Sequence, residues 1–255
     1  MIRLVPEVAM EQKDLCIEKI PAVIWGTHSN KMYLYVHGQG GNKKEAKDFA
    51  SIAVKYGYQV LSIDLPEHGD RQQGNISFEP WNVVPELSCI MTYCKQHWKE
   101  ISLFANSIGA WFSMLAFANE ELKECLFVSP VVDMVDLISN MMMWANVSEL
   151  QLEQEKRIST DFGQTLSWEY WQYAKGHPIK EWHIPTKILF GEKDNLIDGS
   201  VIEMFSQNFG CELTVVKDGE HWFHTKQQLD ILFGWTQKSF HTKSICQNKE
   251  YFQDR

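Results

Sequence analysis

A serine, an aspartate and a histidine each stand in this chain just beyond a run that reads as a buried strand. The apolar run 101–105 leads into Ala105-Asn106-Ser107-Ile108-Gly109, and a helical segment follows from near Ala110. Small residues at Ala105 and Gly109 let the backbone close tightly around a serine whose Oγ projects from the sheet, so Ser107 is the candidate nucleophile. Ile188-Leu189-Phe190 ends in Gly191-Glu192-Lys193-Asp194, and Leu213-Thr214-Val215-Val216 is followed by Gly219-Glu220-His221. A serine hydroxyl needs a base to take its proton, and an imidazole base needs a carboxylate to hold its tautomer. His221 and Asp194 fill those roles. Asp133 and Asp136, after the strand that ends near Ser129, compete for the place of the acid, as does Asp198; Asp194 is preferred. Glu220 reads as a solvated loop residue.

Acyl transfer also needs hydrogen-bond donors where negative charge develops on the carbonyl oxygen, and losing one donor typically costs roughly 2.7–4 kcal/mol of barrier. Residues 32–36 read as a buried strand that runs into His37-Gly38-Gln39-Gly40-Gly41, where backbone N–H groups meet a ligand without side-chain obstruction. The two donors are assigned to the backbone amides of Gln39 and Ile108, with Gly38 beside the substrate. A phosphate-binding loop fits these glycines poorly, since neither G-x-x-x-x-G-K-[ST] nor G-x-G-x-x-G spacing is present.

With these residues in place, the chain resembles the α/β-hydrolase family over about residues 32–234. His37 to Gly41 is similar to its HGxGG oxyanion loop. Asp64-Leu65-Pro66-Glu67-His68-Gly69 is similar to its D-x-x-G-H-G turn, with Glu67 where glycine is commoner. Ala105 to Gly109 looks like the nucleophile elbow G-x-S-x-G with its first glycine changed. Gly191 to Asp194 and Gly219 to His221 resemble the acid and histidine loops. The resemblance implies a mostly parallel sheet with helices on both faces, and a serine hydrolase working through Ser107, Asp194 and His221. It names no substrate, because the fold hosts many chemistries. Haloalkane and epoxide chemistry in the family uses an aspartate nucleophile, which Ser107 argues against.

The elements that must position these residues follow from pattern. Alternating strand and helix signals imply a parallel sheet covered on both faces. Residues 15–24 read as early antiparallel strand material, 58–63 as a strand and 125–129 as another. Helices are expected over 42–56, 81–98, 108–119 and 227–240, with a polar tail from 242 that frays. The interval 131–184 is longer than one crossover helix needs and holds no convincing strand, so it reads as a helical cap inserted in a single domain spanning 1–255. Met134, Leu137, Ile138, Met141, Met142, Met143 and Trp144 cluster there, followed by Trp168, Tyr170, Trp171 and Tyr173. Adaptable methionines and large aromatic faces suit the roof of an apolar pocket. Met141, Met142 and Trp144 are the expected substrate contacts.

The chain has 255 residues, 44% of them hydrophobic, with a net charge of −9. That is enough for one sizeable core, and the charge disfavours nucleic acid and anionic membranes as partners. No apolar stretch approaches the roughly 20 residues that span a bilayer, and the first residues lack a signal-peptide core, so a cytoplasmic location is expected. Six scattered cysteines without a CxxC pair read as free buried thiols, and nine histidines without paired spacing predict no metal. No cofactor is expected, and oligomeric state is not legible. The partner is a small-molecule substrate: a carboxylic ester of modest size with an apolar acyl or aryl part. A peptidase, a carbon–carbon bond hydrolase using the same three residues, and a non-catalytic ligand-binding relative remain open.

Overall fold

Strands buried on both faces read as continuous apolar runs, and five such runs build the middle of the sheet. The computed structural model describes residues 10–250. In chain order the strands of the main sheet are β1 (Gln12–Ile17), β2 (Ile20–Trp25), β3 (Lys31–Val36), β4 (Gln59–Ile63), β5 (Glu100–Asn106) and β6 (Cys125–Val128), then β9 (Thr186–Gly191) and β10 (Glu212–Val216). They lie in the order β1-β2-β4-β3-β5-β6-β9-β10. The six from β4 to β10 are parallel, and β2 and β1 add an antiparallel edge.

Because successive side chains of a strand point to opposite faces, one strand feeds two cores. Met32, Leu34 and Val36 of β3 join a core with Val83, Leu87, Trp111 and Phe112, which come from α2 (Pro80–His97) and α3 (Ile108–Phe117). Tyr33 and Tyr35 face the other way, packing with Phe49, Trp235 and Phe240 from α1 (Ala46–Ala53) and α8 (Lys226–Glu250). The chain passes from β3 outward to β4 and then back across to β5 on the far side of β3. The strand order therefore reverses between β3 and β5, and a crevice for ligands forms at the carboxyl ends of such a pair. The register sets Val36 beside Ala105 and Asn106 beside Val128, so the loops after β3, β5 and β6 emerge together.

Between β6 and β9 the chain forms α4 (Met134–Trp144), α5 (Glu149–Glu155), β7 (Arg157–Ser159), β8 (Thr165–Ser167) and α6 (Trp168–Gly176). Asp133, Ser148 and Ser167 cap the three helices by accepting from backbone N–H groups of the first turn. The insertion is therefore not purely helical as expected, since β7 and β8 pair as an antiparallel hairpin. Gly163 takes a left-handed conformation in its turn, and each strand is only three residues long, too short for alternation to show. The last helix also runs further than the pattern suggested, through Glu250, because neither Gly nor Pro interrupts residues 235–250; residues 251–255 lie outside the described residues. Cys94 and Cys125 are buried as expected, but Cys16 is exposed and Cys89 and Cys211 are half-buried, all five unpaired. Cys16 faces outward because it lies on the sheet's edge strand.

The loops after β3 and β4 are joined by a buried ion cluster. Lys43 Nζ lies 2.6 Å from Asp64 Oδ2 and 2.6 Å from Asp70 Oδ2. Asp64 also accepts from the backbone N–H groups of Lys43 at 2.8 Å and Asp70 at 3.0 Å, so its buried charge is fully bonded. Stripping one partner from such a pair leaves an uncompensated buried charge. Lys43→Met is expected to lose about 3–5 kcal/mol in urea unfolding. Asp70→Asn, whose side chain is 67% exposed, is expected to lose under about 1 kcal/mol.

Candidate active site

Ser107 sits between the end of β5 and the start of α3, with φ 49° and ψ −126°. An L-residue adopts this conformation at a cost of roughly 1–3 kcal/mol, and the surroundings enforce it. Its N–H donates to Val128 O at 3.0 Å, and its carbonyl accepts from Ala110 and Val131 N–H at 3.1 Å each. At the second residue of the helix, a Cβ on Gly109 would stand 2.4 Å from His37 O, so only glycine lets α3 press this closely on the loop after β3. Ala105, where the resembled motif has glycine, is fully buried in the sheet and its methyl group is accommodated there.

The three residues singled out for acyl transfer meet here. Ser107 Oγ lies 2.8 Å from His221 Nε2, and His221 Nδ1 lies 2.7 Å from Asp194 Oδ2. An ionised carboxylate only accepts, so Nδ1 carries the proton and Nε2 is left to accept from the serine hydroxyl. The fully buried Asp194 is aimed by its other oxygen, which accepts from Leu196 N–H at 2.9 Å and Ile197 N–H at 3.0 Å. The acid and histidine loops are tied together: Lys193 N–H donates to Gly219 O at 2.7 Å, and Glu192 N–H to Val216 O at 2.9 Å. A Cβ on Gly191 would stand 2.5 Å from Gly219 O, so the crossing of these loops requires glycine. The rival carboxylates are occupied as helix caps or on helix flanks. Asp133 caps α4, Asp136 accepts from Asn140 Nδ2, and Asp198 caps α7 (Gly199–Phe209).

Two imidazoles clasp the loop after β3 to the loop after β4. His37 Nδ1 donates to Gly38 O at 2.7 Å while its Nε2 accepts from Leu65 N–H at 3.1 Å. His68 mirrors it, with Nδ1 donating to Pro66 O at 2.7 Å and Nε2 accepting from Gly40 N–H at 2.9 Å. Gly41 N–H is spent on Gly38 O at 3.2 Å. That leaves the Gln39 N–H without an acceptor among the described residues, and Ile108 N–H, at the first position of α3, has no intrahelical acceptor. Both stand beside Ser107, and the positive end of the α3 dipole faces the same spot.

A cavity of about 940 Å³ opens at Ser107 and His221, and Gly38 and Gln39 line it. Its walls are α1 and α8, with Phe49 and Ile52 on one side and Leu232 and Phe233 on the other, over a floor of Tyr35 and Phe104. Met141, Met142 and Trp144, the expected substrate contacts, are not among its lining residues. Met134, Leu137, Ile138 and Met142 form the buried stripe of α4, directed into the core, while Trp144 is 45% exposed and packs edge-on against Phe162. From the insertion only Gln164 reaches the cavity, where its side-chain oxygen accepts from Gln39 Nε2 at 3.2 Å. The walls went unread in the sequence, although α1 follows directly on the loop after β3 and α8 on the His221 loop, so both helices had to flank whatever those loops enclose.

Solved structures repeat this architecture over nearly the whole chain. Est1E from Butyrivibrio proteoclasticus, with ferulic acid bound, matches with a TM-score of 0.70 over 92% of this chain and 99% of its own, at 16% identity. The chain has the α/β-hydrolase fold. Alpha/beta hydrolase domain-containing protein 10 from mouse matches with a TM-score of 0.70 at 12% identity, covering 91% of this chain and 99% of its own. An esterase from Pyrococcus furiosus matches with a TM-score of 0.65 at 17% identity, covering 92% and 91%. No family model matches the chain, and no curated protein matches it by sequence. The likeness is one of α/β-hydrolase architecture. In it the loops after β3, β5, β9 and β10 meet at one edge of the sheet, where the site described above lies.

The clasp needs a neutral His37 ring, because a proton on its Nε2 would set a donor against the Leu65 N–H. Burial pulls His37 down to about 4, with the neighbouring His68 adding to the effect and the Gly38 carbonyl and Asp64 opposing it. An unfolded histidine titrates near ~6.5. Between these values the unfolded chain binds a proton that the folded one refuses, so folding stability is full above about pH 6.5 and declines as pH falls towards 4. The decline from this residue is expected to approach about 3 kcal/mol. His37→Gln keeps an acceptor for Leu65 without titrating, and should flatten that part of the unfolding free energy measured against pH.

Proposed function

We propose that this protein is a serine hydrolase that cleaves carboxylic esters of small to medium apolar substrates through an acyl-enzyme. The observation that carries this reading is the continuous chain that starts at Ser107 Oγ in the cavity wall and runs through His221 to the buried side chain of Asp194. His221 takes the Ser107 proton as the oxygen attacks the ester carbonyl. The tetrahedral oxyanion then accepts from the Gln39 and Ile108 amides, which offer preorganised N–H groups. As the intermediate collapses, His221 passes its proton to the departing alkoxide, and Asp194 steadies the imidazolium between the two transfers. Water activated by the same imidazole then releases the acid and restores the serine.

The neighbours add support at the level of chemistry. The Pyrococcus furiosus protein is an esterase and Est1E is seen with a phenolic acid, and we extend ester cleavage to this chain on the strength of its own site. No helix among the described residues is long and apolar enough to cross a membrane. The unpaired cysteines suit a reducing compartment, so we place the reaction in the cytoplasm.

The test is hydrolysis of p-nitrophenyl butyrate by wild type and single variants with unchanged circular dichroism. Ser107→Ala and His221→Ala should each lower kcat by roughly 10⁴-fold or more, and Asp194→Asn by roughly 10⁴-fold. Asp198→Asn and Asp133→Asn, outside the chain of hydrogen bonds, should stay within about 3-fold of wild type. An Asp198→Asn loss equal to that of Asp194→Asn would overturn the assignment of the acid.

A further inference from the structure

The cavity has two unlike ends. Its inner end is formed by Tyr35, Phe49, Ile52 and Phe104, all buried, on the face of the sheet covered by α1 and α8. Tyr35 and Phe104 stack there as an aromatic floor with centroids 4.9 Å apart, and Phe49 of the wall leans on Phe104 at 4.3 Å. The outer end is rimmed by Trp222, 75% exposed and next to His221, and by the exposed Leu229 of α8. An ester bound for attack must turn its leaving oxygen towards His221 Nε2, so that the imidazole can protonate it. The alcohol therefore departs past the exposed rim. The acyl group, held on Ser107 until water arrives, has the closed inner end left to it.

The charged side chains that line the cavity are the carboxylates Glu45, Asp48 and Asp230, and no Lys or Arg lines it among the described residues. Asp230 is offset by Lys226 Nζ at 2.9 Å, and burial pushes the Glu45 carboxyl up. The field left, chiefly from Asp48, disfavours an anionic group relative to a neutral one.

We propose that the acyl arm of the substrate lies along the aromatic floor between α1 and α8, with Leu232 and Ile52 setting its length. The site takes neutral esters with extended alkyl or aryl acyl groups and rejects acyl groups that carry a carboxylate. This rests on the ester-hydrolase reading and goes beyond it by fixing which face of the sheet, and which residues, select the acyl group. Trp144 of the insertion between β6 and β9 takes no part in that selection.

The test compares kcat/KM for the p-nitrophenyl esters of acetate, octanoate, methyl succinate and succinate. Leu232→Trp narrows the wall of the cavity, and Leu232→Phe, a smaller enlargement at the same position, replaces it if the first variant does not fold. Trp144→Ala probes the insertion. The expected result is that Leu232→Trp lowers kcat/KM for octanoate at least tenfold while acetate stays within twofold, and that Trp144→Ala moves neither. Wild type should turn over the methyl succinate ester at least tenfold faster than the succinate ester. Equal losses for acetate and octanoate, a chain-length shift in Trp144→Ala, or no discrimination against succinate would overturn the proposal. Octanamide, a neutral probe that needs no turnover, should bind wild type at least tenfold more tightly than Leu232→Trp by calorimetry. That difference without ester turnover would refute the hydrolase reading and leave the pocket assignment standing. Turnover without the difference would refute the pocket assignment alone.

Discussion

The geometry of the site depends on the backbone of Ser107, held in a conformation that a free chain would leave. Its N–H and carbonyl are bonded on three sides, to Val128, Ala110 and Val131, and the close seat of Gly109 on the His37 carbonyl keeps α3 from sliding away. With the serine fixed at the end of β5, the neighbouring strand β3 brings the Gln39 loop against it, and α3 turns its first N–H groups inward. A rigid parallel sheet can hold such a turn because its central strands are anchored on both sides and buried on both faces. The strain at one residue is offset by a core formed from most of the chain.

Around that point the protein uses two kinds of polar interior. Asp194 holds the His221 ring, with the carboxylate satisfied by two backbone N–H groups and the imidazole left partly open to the cavity. His37 and His68 join loop to loop, each ring donating through Nδ1 and accepting through Nε2 between loop backbones. The same functional group serves both arrangements; a carboxylate neighbour in one and backbone neighbours in the other set them apart. Lys43, Asp64 and Asp70 close the same loops from below, so the segment that carries Gln39 is held by neutral and charged contacts together.

Much of this was legible in the residues, because chemistry that depends on backbone geometry leaves local marks. Gly109 and Gly191 stand where another backbone passes within reach of any side chain, and Ser107, Asp194 and His221 each follow a strand signal, a continuous apolar run before the first two. The cavity was not legible. Its walls are drawn from α1 and α8, which are distant in sequence, and Phe49 or Leu232 carry the same signal as any core residue of an amphipathic helix. Met141, Met142 and Trp144 drew attention by type, yet helix geometry directs the buried stripe of α4 into the core and leaves Trp144 outside. The hairpin of β7 and β8 escaped pattern reading for a similar reason, since strands of three residues have no period to show.

The central claim is that Ser107 is an activated nucleophile, and labelling with a small fluorophosphonate followed by peptide mass spectrometry tests it most directly. Native protein should carry the label on the peptide that contains Ser107, and the label should be absent from heat-denatured protein and from Ser107→Ala. A native protein of unchanged circular dichroism that takes no label at Ser107 would contradict the claim, because the hydrogen bonds to His221 would then be a structural contact only.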